Sequence, residues 1–461
     1  MIAFRPISLE DRATIERYTL PSESYNCDFS FANIYTWQGL YRSEWAEVKG
    51  FLVIRFALGG GDEWGYMLPL GEGDFTTLIP LLQADSEQRG EPLRLVGLTA
   101  RAATRLQEVY PERFAVTTSR NTADYLYSAE QLRNLPGRGY QPKRNHINRF
   151  LAHYPNYRYQ PLSGALMEEC MALEGVWRQT HEGGSDALSA EACAIRRGFE
   201  AWEALGLRGC ALFVGEQLVA FSYGSQLNDH TFVTHIEKAD TQIEGAFAMI
   251  NKLQAQPLPP HITHINREED LGLEGLRQAK LSYQPLFLEQ KYSAVALTDQ
   301  QRACKQLWRE AFGDEEAFID QFLLGYYRSE RMMRIEQERE LACMLHLIPF
   351  QSVSGPLCYL YGVATARKWQ GKGLATRLMQ EAMTRIRQEG YHAAFLIPTP
   401  GEEWLRAFYG QFGFVEERPV RFHSPDGFDF GTGNEAWDRA LVWRAEQEEP
   451  LPDYLQVTYQ E

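Results

Sequence analysis

Apolar residues crowd the run Phe51 to Leu58 (FLVIRFAL), break at Gly59-Gly60-Gly61-Asp62 and resume at Trp64 to Leu70, which is the pattern of a β-hairpin. Helical spacing takes over after Asp74, a residue placed to cap a helix to about Arg89. A strand at Leu93 to Leu98, a helix from about Arg101 to Val109 and strands near Phe114 and Tyr125 follow. The same order returns mid-chain. Gly209 to Val214, Leu218 to Gln226 and Thr231 to Ile236 read as a meander turning at Gly215-Glu216 and Asn228-Asp229. A helix Ile243 to Ala255, a strand Ile262 to Asn266, a helix opening at Asp270 and a strand Leu286 to Tyr292 complete it.

A third copy begins after Val295. Thr298 with Gln301 forms a capping box that opens a helix to about Phe312. Strands at Leu341 to Ile348 and Leu357 to Ala364, a helix Leu374 to Gln388, a strand Ala393 to Ile397, a helix Glu402 to Gln411 and strands from Phe414 and Arg421 come next. Three units with one element order predict an α+β protein of three related domains, 1–150, 151–294 and 295–461, with mixed, mostly antiparallel sheets flanked by helices.

Composition narrows the function classes. With 46 basic and 61 acidic residues the net charge is −15, which gives no generic attraction to nucleic acid or anionic lipid. Seven cysteines, an odd number without a C-x-x-C pair, predict free thiols, a reducing cytoplasm and no metal site. The first residues form neither a signal core nor a transit helix, and no apolar run is long enough to span a bilayer, so no integral membrane segment is expected.

The most informative stretch is Val363-Ala364-Thr365-Ala366-Arg367-Lys368-Trp369-Gln370-Gly371-Lys372-Gly373-Leu374-Ala375, lying between a strand and a helix. Gly371 and Gly373 let the backbone approach a ligand, and the helix start aims unpaired N–H groups at it. Arg367, Lys368 and Lys372 add positive charge, and no acidic residue lies between Val363 and Gln380. The segment suits a pyrophosphate. It resembles the acyl-CoA-binding motif of the GNAT acetyltransferase superfamily, Gln/Arg-x-x-Gly-x-Gly/Ala, met here by Gln370, Gly373 and Ala375. The resemblance covers about 296–445 and implies acetyl-CoA as acyl donor, held by Val363, Ala364, Gln370, Gly371, Lys372, Gly373, Leu374 and Ala375. It also implies that Tyr409, in Phe408-Tyr409-Gly410-Gln411-Phe412-Gly413-Phe414, protonates the departing thiolate; the alternative is an aromatic packing beside Phe408 and Phe412. For a general base the candidates are Glu340, His346, Tyr361 or a water relay.

At the equivalent places the other units carry Gly71-Glu72-Gly73-Asp74 and His235 through Gly245, with Glu237, Asp240 and Glu244. Carboxylates there repel a diphosphate, so neither unit should bind CoA this way. From about Arg5 to Tyr292 the chain resembles soluble relatives of the phosphatidylglycerol lysyltransferase C-terminal domain, which are related to the Fem-type aminoacyl-tRNA-dependent transferases. The strings that carry this are Asp124-Tyr125-Leu126-Tyr127, Lys143-Arg144-Asn145-His146-Ile147-Asn148-Arg149-Phe150, His235-Ile236-Glu237-Lys238-Ala239-Asp240 and Asn266-Arg267-Glu268-Glu269-Asp270-Leu271-Gly272, followed by Arg277 and Lys280. The resemblance implies a pair of GNAT-like halves.

Residues 131–167 hold Arg133, Arg138, Lys143, Arg144, Arg149 and Arg158 among their basic residues. They could meet the phosphates of tRNA, a nucleotide or a lipid head group, or form a solvated helix face. Arg277 and Lys280 share a helix face that could clamp a phosphate or serve in surface ion pairs. Glu237, Glu268 and Glu269 could receive a substrate ammonium or act as a base, while Asp270 is placed as an N-cap. The expected function is an N-acyltransferase that moves acetyl from acetyl-CoA to a small-molecule or peptide amine, with the first two units recognising substrate or performing a second acyl transfer. The competing readings are an aminoacyl-tRNA-dependent transferase in the first two units and a non-catalytic scaffold that binds CoA or phosphate. Neither the acceptor nor the oligomeric state is encoded in these patterns.

Overall fold

The computed structural model describes residues 2–180, 185–399, 401–433, 437–445 and 451–460. The chain divides into two compact units. An N-terminal unit comprises Met1–Pro111 with Thr118–Val295, and a C-terminal unit comprises Glu112–Thr117 with Ala296–Glu461.

The N-terminal unit contains two sheets. In the first, the order is Arg5–Pro6, Glu44–Val48, Phe51–Ala57, Trp64–Met67, Arg94–Leu98, Tyr292–Ala296. Every step just named is antiparallel except Trp64–Met67 beside Arg94–Leu98, which is parallel. In the second the order is Phe287–Glu289, Asp124–Ser128, His264–Asn266, Thr231–Ala239, Gln217–Asn228, Arg208–Val214, Arg158–Pro161, again with one parallel step, Thr231–Ala239 beside His264–Asn266.

The halves exchange closing strands. Asp124–Ser128 leaves the first half to lie inside the second sheet, and Tyr292–Ala296 returns to the first. The first four residues of Asp124–Ser128 are buried, as suits a strand paired on both edges. The stretch Leu286 to Tyr292, expected as one strand, splits into Phe287–Glu289 and Tyr292–Ala296, because between them Lys291 turns its ammonium inward to Asp124, 2.8 Å away. Apolar side chains from both sheets share one core, with Trp45 and Ile54 from the first and Phe221 and Val233 from the second.

Two expected helices start late, each for a local reason. The helix after Thr231–Ala239 spans Ala246–Ala255, preceded by Gly245 at φ 84°, where a Cβ would come 2.3 Å from the His146 carbonyl oxygen. The helix expected from Asp270 spans Glu274–Leu281. The Asp270 carboxylate does not cap it, being held by Arg120, Tyr125, Arg277 and the Gly272 amide.

The C-terminal unit has one sheet, ordered Met332–Gln337, Glu340–Ser352, Gly355–Thr365, Ala393–Leu396, Asp438–Arg444, Glu416–His423, Leu455–Tyr459. Thr298 and Gln301 form the expected capping box on the helix Asp299–Phe312. Arg421 lies inside Glu416–His423 rather than opening a new strand, and the next strand is Asp438–Arg444. Helix Leu374–Gln388 docks through Leu378, Met379, Ala382, Met383 and Ile386 on one apolar cluster of the sheet, and Asp299–Phe312 and Glu316–Gly325 join another. The architecture is thus α+β with GNAT-like mixed sheets, each carrying a parallel step between two strands that part company beyond it.

Candidate functional site

In the C-terminal unit, Gly355–Thr365 pairs in parallel with Ala393–Leu396 only at Leu357, Cys358 and Tyr359. Beyond Tyr359 the longer strand stays with Glu340–Ser352, out to Thr365 opposite Cys343. The strands separate over the six residues from Leu360 to Thr365, or roughly 20 Å at strand rise. The loop carrying Gly371 and Gly373 closes one end of this opening. Both glycines sit at positive φ, 72° and 75°, with open space where a Cβ would stand. Gly373 is the N-cap of Leu374–Gln388, and the first-turn amides of Leu374, Ala375 and Thr376 have no intrahelical acceptor. Gln370 braces the loop by donating to the Thr365 carbonyl at 3.2 Å.

Three carboxylates that chain order hides reach the loop's first turn. Glu310 accepts from the Arg367 amide at 2.7 Å, and Lys368 is paired with Glu340 at 2.9 Å and Glu338 at 3.5 Å. The positive charge is therefore less free than the sequence suggests. Lys372 lies over the Trp369 ring at 4.2 Å. Val363, Leu374 and Ala375 pack against the apolar cluster that contains Tyr409. Tyr409 is 6% exposed, and burial, with Cys343 nearby, pushes its phenol up to about 12.

The three base candidates lie in different settings. Glu340 is committed to Lys368. His346 is wholly buried against Trp308, Phe322 and Tyr327, and burial drives it down to about 4. Tyr361 packs between Trp308 and Phe430. Just past the end of Ala393–Leu396 lies a cavity of about 210 Å³ lined by Ile397, Thr399, Glu402, Arg406, Thr432 and Asp438, among others.

In the N-terminal unit the segments equivalent to the glycine loop carry carboxylates that take up amides of their own, at a helix start for Asp74 and in the loop ahead of the Gly245 N-cap for Asp240. Asp74 takes the Thr76 amide at 3.0 Å and Asp240 takes the Gln242 amide at 2.9 Å. Polar residues gather instead where Thr231–Ala239 parts from His264–Asn266, beyond the Val233–Asn266 pair. Glu237 is held by Arg267 at 2.8 Å and by the Asn251 amide at 3.0 Å. Lys143 and Arg267 both lie over Tyr283, at 3.8 and 4.7 Å, and burial with the Arg267 charge lowers Lys143 to about 8.

Glu268 and Glu269 belong to another cluster. Glu268 accepts from Asn33 at 2.8 Å and lies 3.0 Å from His235 Nδ1. Glu269 lies 3.6 Å from Lys291, whose ammonium also reaches Asp124 at 2.8 Å, Asp28 at 3.1 Å and Cys27 Sγ at 3.6 Å. Cys27, Asp124 and Glu269 could converge on a metal, their ligand atoms lying within 4.8 Å of one another. The Lys291 ammonium is the cation among them.

Other candidates are spent on the fold. Lys280 donates to the carbonyls of Arg267, Glu268 and Glu269, bracing a turn in which Glu268 sits at φ 56°. Arg277 forks onto Asp270, so the two do not form a shared phosphate clamp. Arg144 donates to the Leu135 carbonyl and Gln141, Arg149 to Glu244, and Arg133 to the Ala255 and Leu258 carbonyls, which disperses the basic stretch. Sequence reasoning passed over Cys27, Ser30, Asn33, Ser225 and Lys291, because nothing in their local spacing joins chain positions some 200 residues apart.

The family described as "Phosphatidylglycerol lysyltransferase, C-terminal" matches residues 21–295, and the acetyltransferase (GNAT) domain family matches 295–416. A conserved protein of unknown function from Bacteroides thetaiotaomicron VPI-5482 is 41% identical, covering 64% of this chain and 100% of its own, with a TM-score of 0.61. L-PGS from Bacillus licheniformis is 13% identical over 63% of this chain and 92% of its own, with a TM-score of 0.45. An uncharacterised protein of Mycoplasmoides gallisepticum is 24% identical over 175 residues, 37% of this chain, and the chain spans 56% of that relative's length. The protein belongs to the phosphatidylglycerol lysyltransferase C-terminal family and carries a GNAT acyltransferase-type domain after it.

Proposed function

We propose that the C-terminal unit transfers an acetyl group from acetyl-CoA to a primary amine of a small molecule or peptide. The observation that carries this reading is the parting of Gly355–Thr365 from Ala393–Leu396 beside a glycine-lined helix start with no acidic residue in its first turn. Val363, Ala364, Gln370, Gly371, Lys372, Gly373, Leu374 and Ala375 would hold the cofactor, its pyrophosphate on the free amides and its pantetheine along the unpaired strand edge. The cavity beyond Leu396 offers the acceptor a way to the thioester.

In the reaction the amine nitrogen attacks the thioester carbon, the C–S bond breaks, and the thiolate takes a proton from Tyr409. A phenol raised to about 12 stays protonated at neutral pH, as an acid must. It is a weaker acid than free tyrosine, yet the same burial raises a thiol beside it, as it raises Cys358 in that cluster. With Glu340 paired and His346 and Tyr361 enclosed, the proton of the attacking amine leaves through water, and water returns a proton to the Tyr409 phenolate.

The N-terminal unit would recognise the substrate or carry a second acyl transfer, with Glu237, Glu268, Glu269, Lys143, Arg144, Arg277 and Lys280 as its polar residues. Of these, Lys143 and Glu237 feel one another's charge beside Arg267. A cytoplasmic site of action goes with this reading. Among the described residues no helix is long and apolar enough to cross a membrane. The test is to mix the protein with acetyl-CoA and an amine panel. Thiol release above hydrolysis supports the enzyme, whereas CoA binding without release at any amine supports a scaffold. Binding of tRNA that weakens and loses salt dependence in Lys143→Glu/Arg144→Glu would favour the aminoacyl-tRNA-dependent transferase.

A further inference from the structure

We infer that Ser225 is a nucleophile that an oxygen ester acylates, activated by a Ser225–His235–Glu268 relay in the N-terminal unit. Ser225 Oγ stands 2.8 Å from His235 Nε2, and His235 Nδ1 stands 3.0 Å from Glu268 Oε1. Nucleophile, base and orienting carboxylate are thus in sequence at hydrogen-bond distance, the arrangement that nucleophilic acyl transfer requires. The inference concerns an activity independent of CoA and goes beyond the acetyl transfer assigned to the C-terminal unit.

Each member is held by its surroundings. His235 has no cross-strand partner, because Tyr223 faces Ile236 while the next residue, Gly224, faces Thr234. The bulge re-aims the imidazole. It does so two residues past the last parallel pair, Val233 with Asn266, where the sheet opens. Glu268 sits in a left-handed backbone conformation braced by the buried Lys280 ammonium, and its amide donates to Asn266 Oδ1 at 2.6 Å. Such strain in a non-glycine residue persists only where neighbours hold it, and it recurs at reactive sites. Burial would push the Glu268 carboxyl up, but hydrogen bonds from His235 and Asn33 outweigh it, and the carboxyl lies below its usual range. An ionised Glu268 places the imidazole proton on Nδ1 and leaves Nε2 to accept from Ser225. Ser30 Oγ, 2.8 Å from Ser225 Oγ and 3.4 Å from His235 Nε2, completes the polar group. Ser225 is 5% exposed, so the acyl group must enter the opening of the sheet rather than lie on the surface.

In the forward step Ser225 Oγ bonds to the ester carbon as its proton passes to His235 Nε2. The tetrahedral adduct then breaks its bond to the alcohol oxygen, which takes that proton from His235. The products are acyl-Ser225 and a free alcohol. Water, or an acceptor amine or hydroxyl, attacks the acyl-Ser225 carbon with His235 again taking the proton, and Ser225 Oγ–H is restored. No redox partner or cofactor is needed.

The full-length protein is treated, without CoA, with a small alkyl fluorophosphonate and digested for mass spectrometry, and in parallel mixed with p-nitrophenyl acetate in a stopped-flow instrument. One adduct per chain, on Ser225, and a nitrophenolate burst that Ser225→Ala removes are expected. In His235→Asn and Glu268→Gln the labelling rate should fall by about 100-fold or more. Glu268→Asp, which keeps the carboxylate, should recover part of it. Wild-type protein that leaves Ser225 unmodified overturns the inference without reference to any variant. So does a burst that persists in Ser225→Ala, or labelling of a folded His235→Asn at the parent rate.

Discussion

Replacing Gly373 by Glu separates the cofactor site from the fold. Gly373 lies at φ 75° with no heavy atom within 4 Å of where a Cβ would stand, so Glu fits without a clash. The left-handed backbone costs a non-glycine residue about 1–2 kcal/mol, and a carboxylate at a helix N-terminus returns about 0.3–1 kcal/mol, leaving a net loss near 1 kcal/mol. Against a pyrophosphate on the same amides, two unit charges about 4 Å apart repel by about 1 kcal/mol in water and about 4 kcal/mol at an effective dielectric of 20. That weakens CoA binding roughly 5-fold to 1,000-fold. In calorimetry, CoA at about 100 times the parent Kd should stabilise the parent by about 2.7 kcal/mol, and the variant by under about 0.1 kcal/mol at the upper end of that range. Gly390→Glu is the control. It has the same positive φ and the same open space, but lies at the C-terminal end of the same helix, and it should bind CoA like the parent. A Gly373→Glu protein that melts near the parent and gains the same increment from CoA would refute the site.

Tyr409→Phe should lower kcat for thiol release while leaving KM for acetyl-CoA near the parent value, and the parent's kcat should show no loss from phenol ionisation below about pH 11, as read by stopped-flow thiol titration. Lys143 has a folded pKa of about 8, below its unfolded value near 10.4, so the unfolded chain binds more protons between those limits and stability rises with pH there; Lys143→Met should flatten that rise in urea midpoints measured from pH 7 to 10. Lys291→Met leaves Asp124, which has no exposed side-chain surface, facing Asp28 and Glu269 without its cation, and should cost about 3–5 kcal/mol in chemical denaturation at neutral pH. Asp74→Asn should be less stable than the parent at pH 6, and the deficit should shrink as the pH falls from about 4 through 2, since the Asp74 carboxyl, held down to about 2 by Thr76 and Arg105, loses its advantage as it is protonated, as read by urea midpoints across that range.

What the sequence revealed was the short-range part. The Thr298–Gln301 box, the hairpin of Phe51 to Leu58 with Trp64 to Leu70 and the helix Leu374–Gln388 are each written within about twenty residues, and each forms where it was expected. Hydrophobic pattern marks Asp124–Ser128 as a strand but not which sheet it enters, because both of its edges are paired by residues about 140 or more positions later. The strand Leu455–Tyr459 and the helix Glu316–Gly325 went unread because the first is short and the second is apolar on most of its surface. The glycine loop was legible because its chemistry is local. Its carboxylate neighbours Glu310, Glu338 and Glu340 were not, since they arrive from other elements. The same distance hid the relay: Ser225 and His235 are ten residues apart on adjacent strands, but Glu268 and Ser30 come from elsewhere in the chain.

Three parallel steps, one in each sheet, show how one architecture takes up different chemistry. Each sheet brings two strands together for two or three residues and then lets them part, which leaves unpaired backbone and a helix start at the edge of an opening. In the first half of the N-terminal unit Asp74 caps those amides with a carboxylate of its own, so an anion finds the place taken. In the second half Asp240 holds the Gln242 amide in the loop ahead of the helix, whose N-cap Gly245 is crowded by the His146 carbonyl, while the strand that borders the opening bulges at His235 and aims an imidazole at Ser225 and Glu268. In the C-terminal unit glycine stands at the N-cap and no side chain caps the helix, which leaves the amides for a ligand. What stands before or against the helix start should decide whether an opening takes a diphosphate, and the residue at the bulge whether it holds a base. Exchanging either should move one property without the other. Asp240→Gly should free the Gln242 amide while leaving Ser225 open to the fluorophosphonate, and loss of labelling in a folded Asp240→Gly protein would show that the two features are not separable.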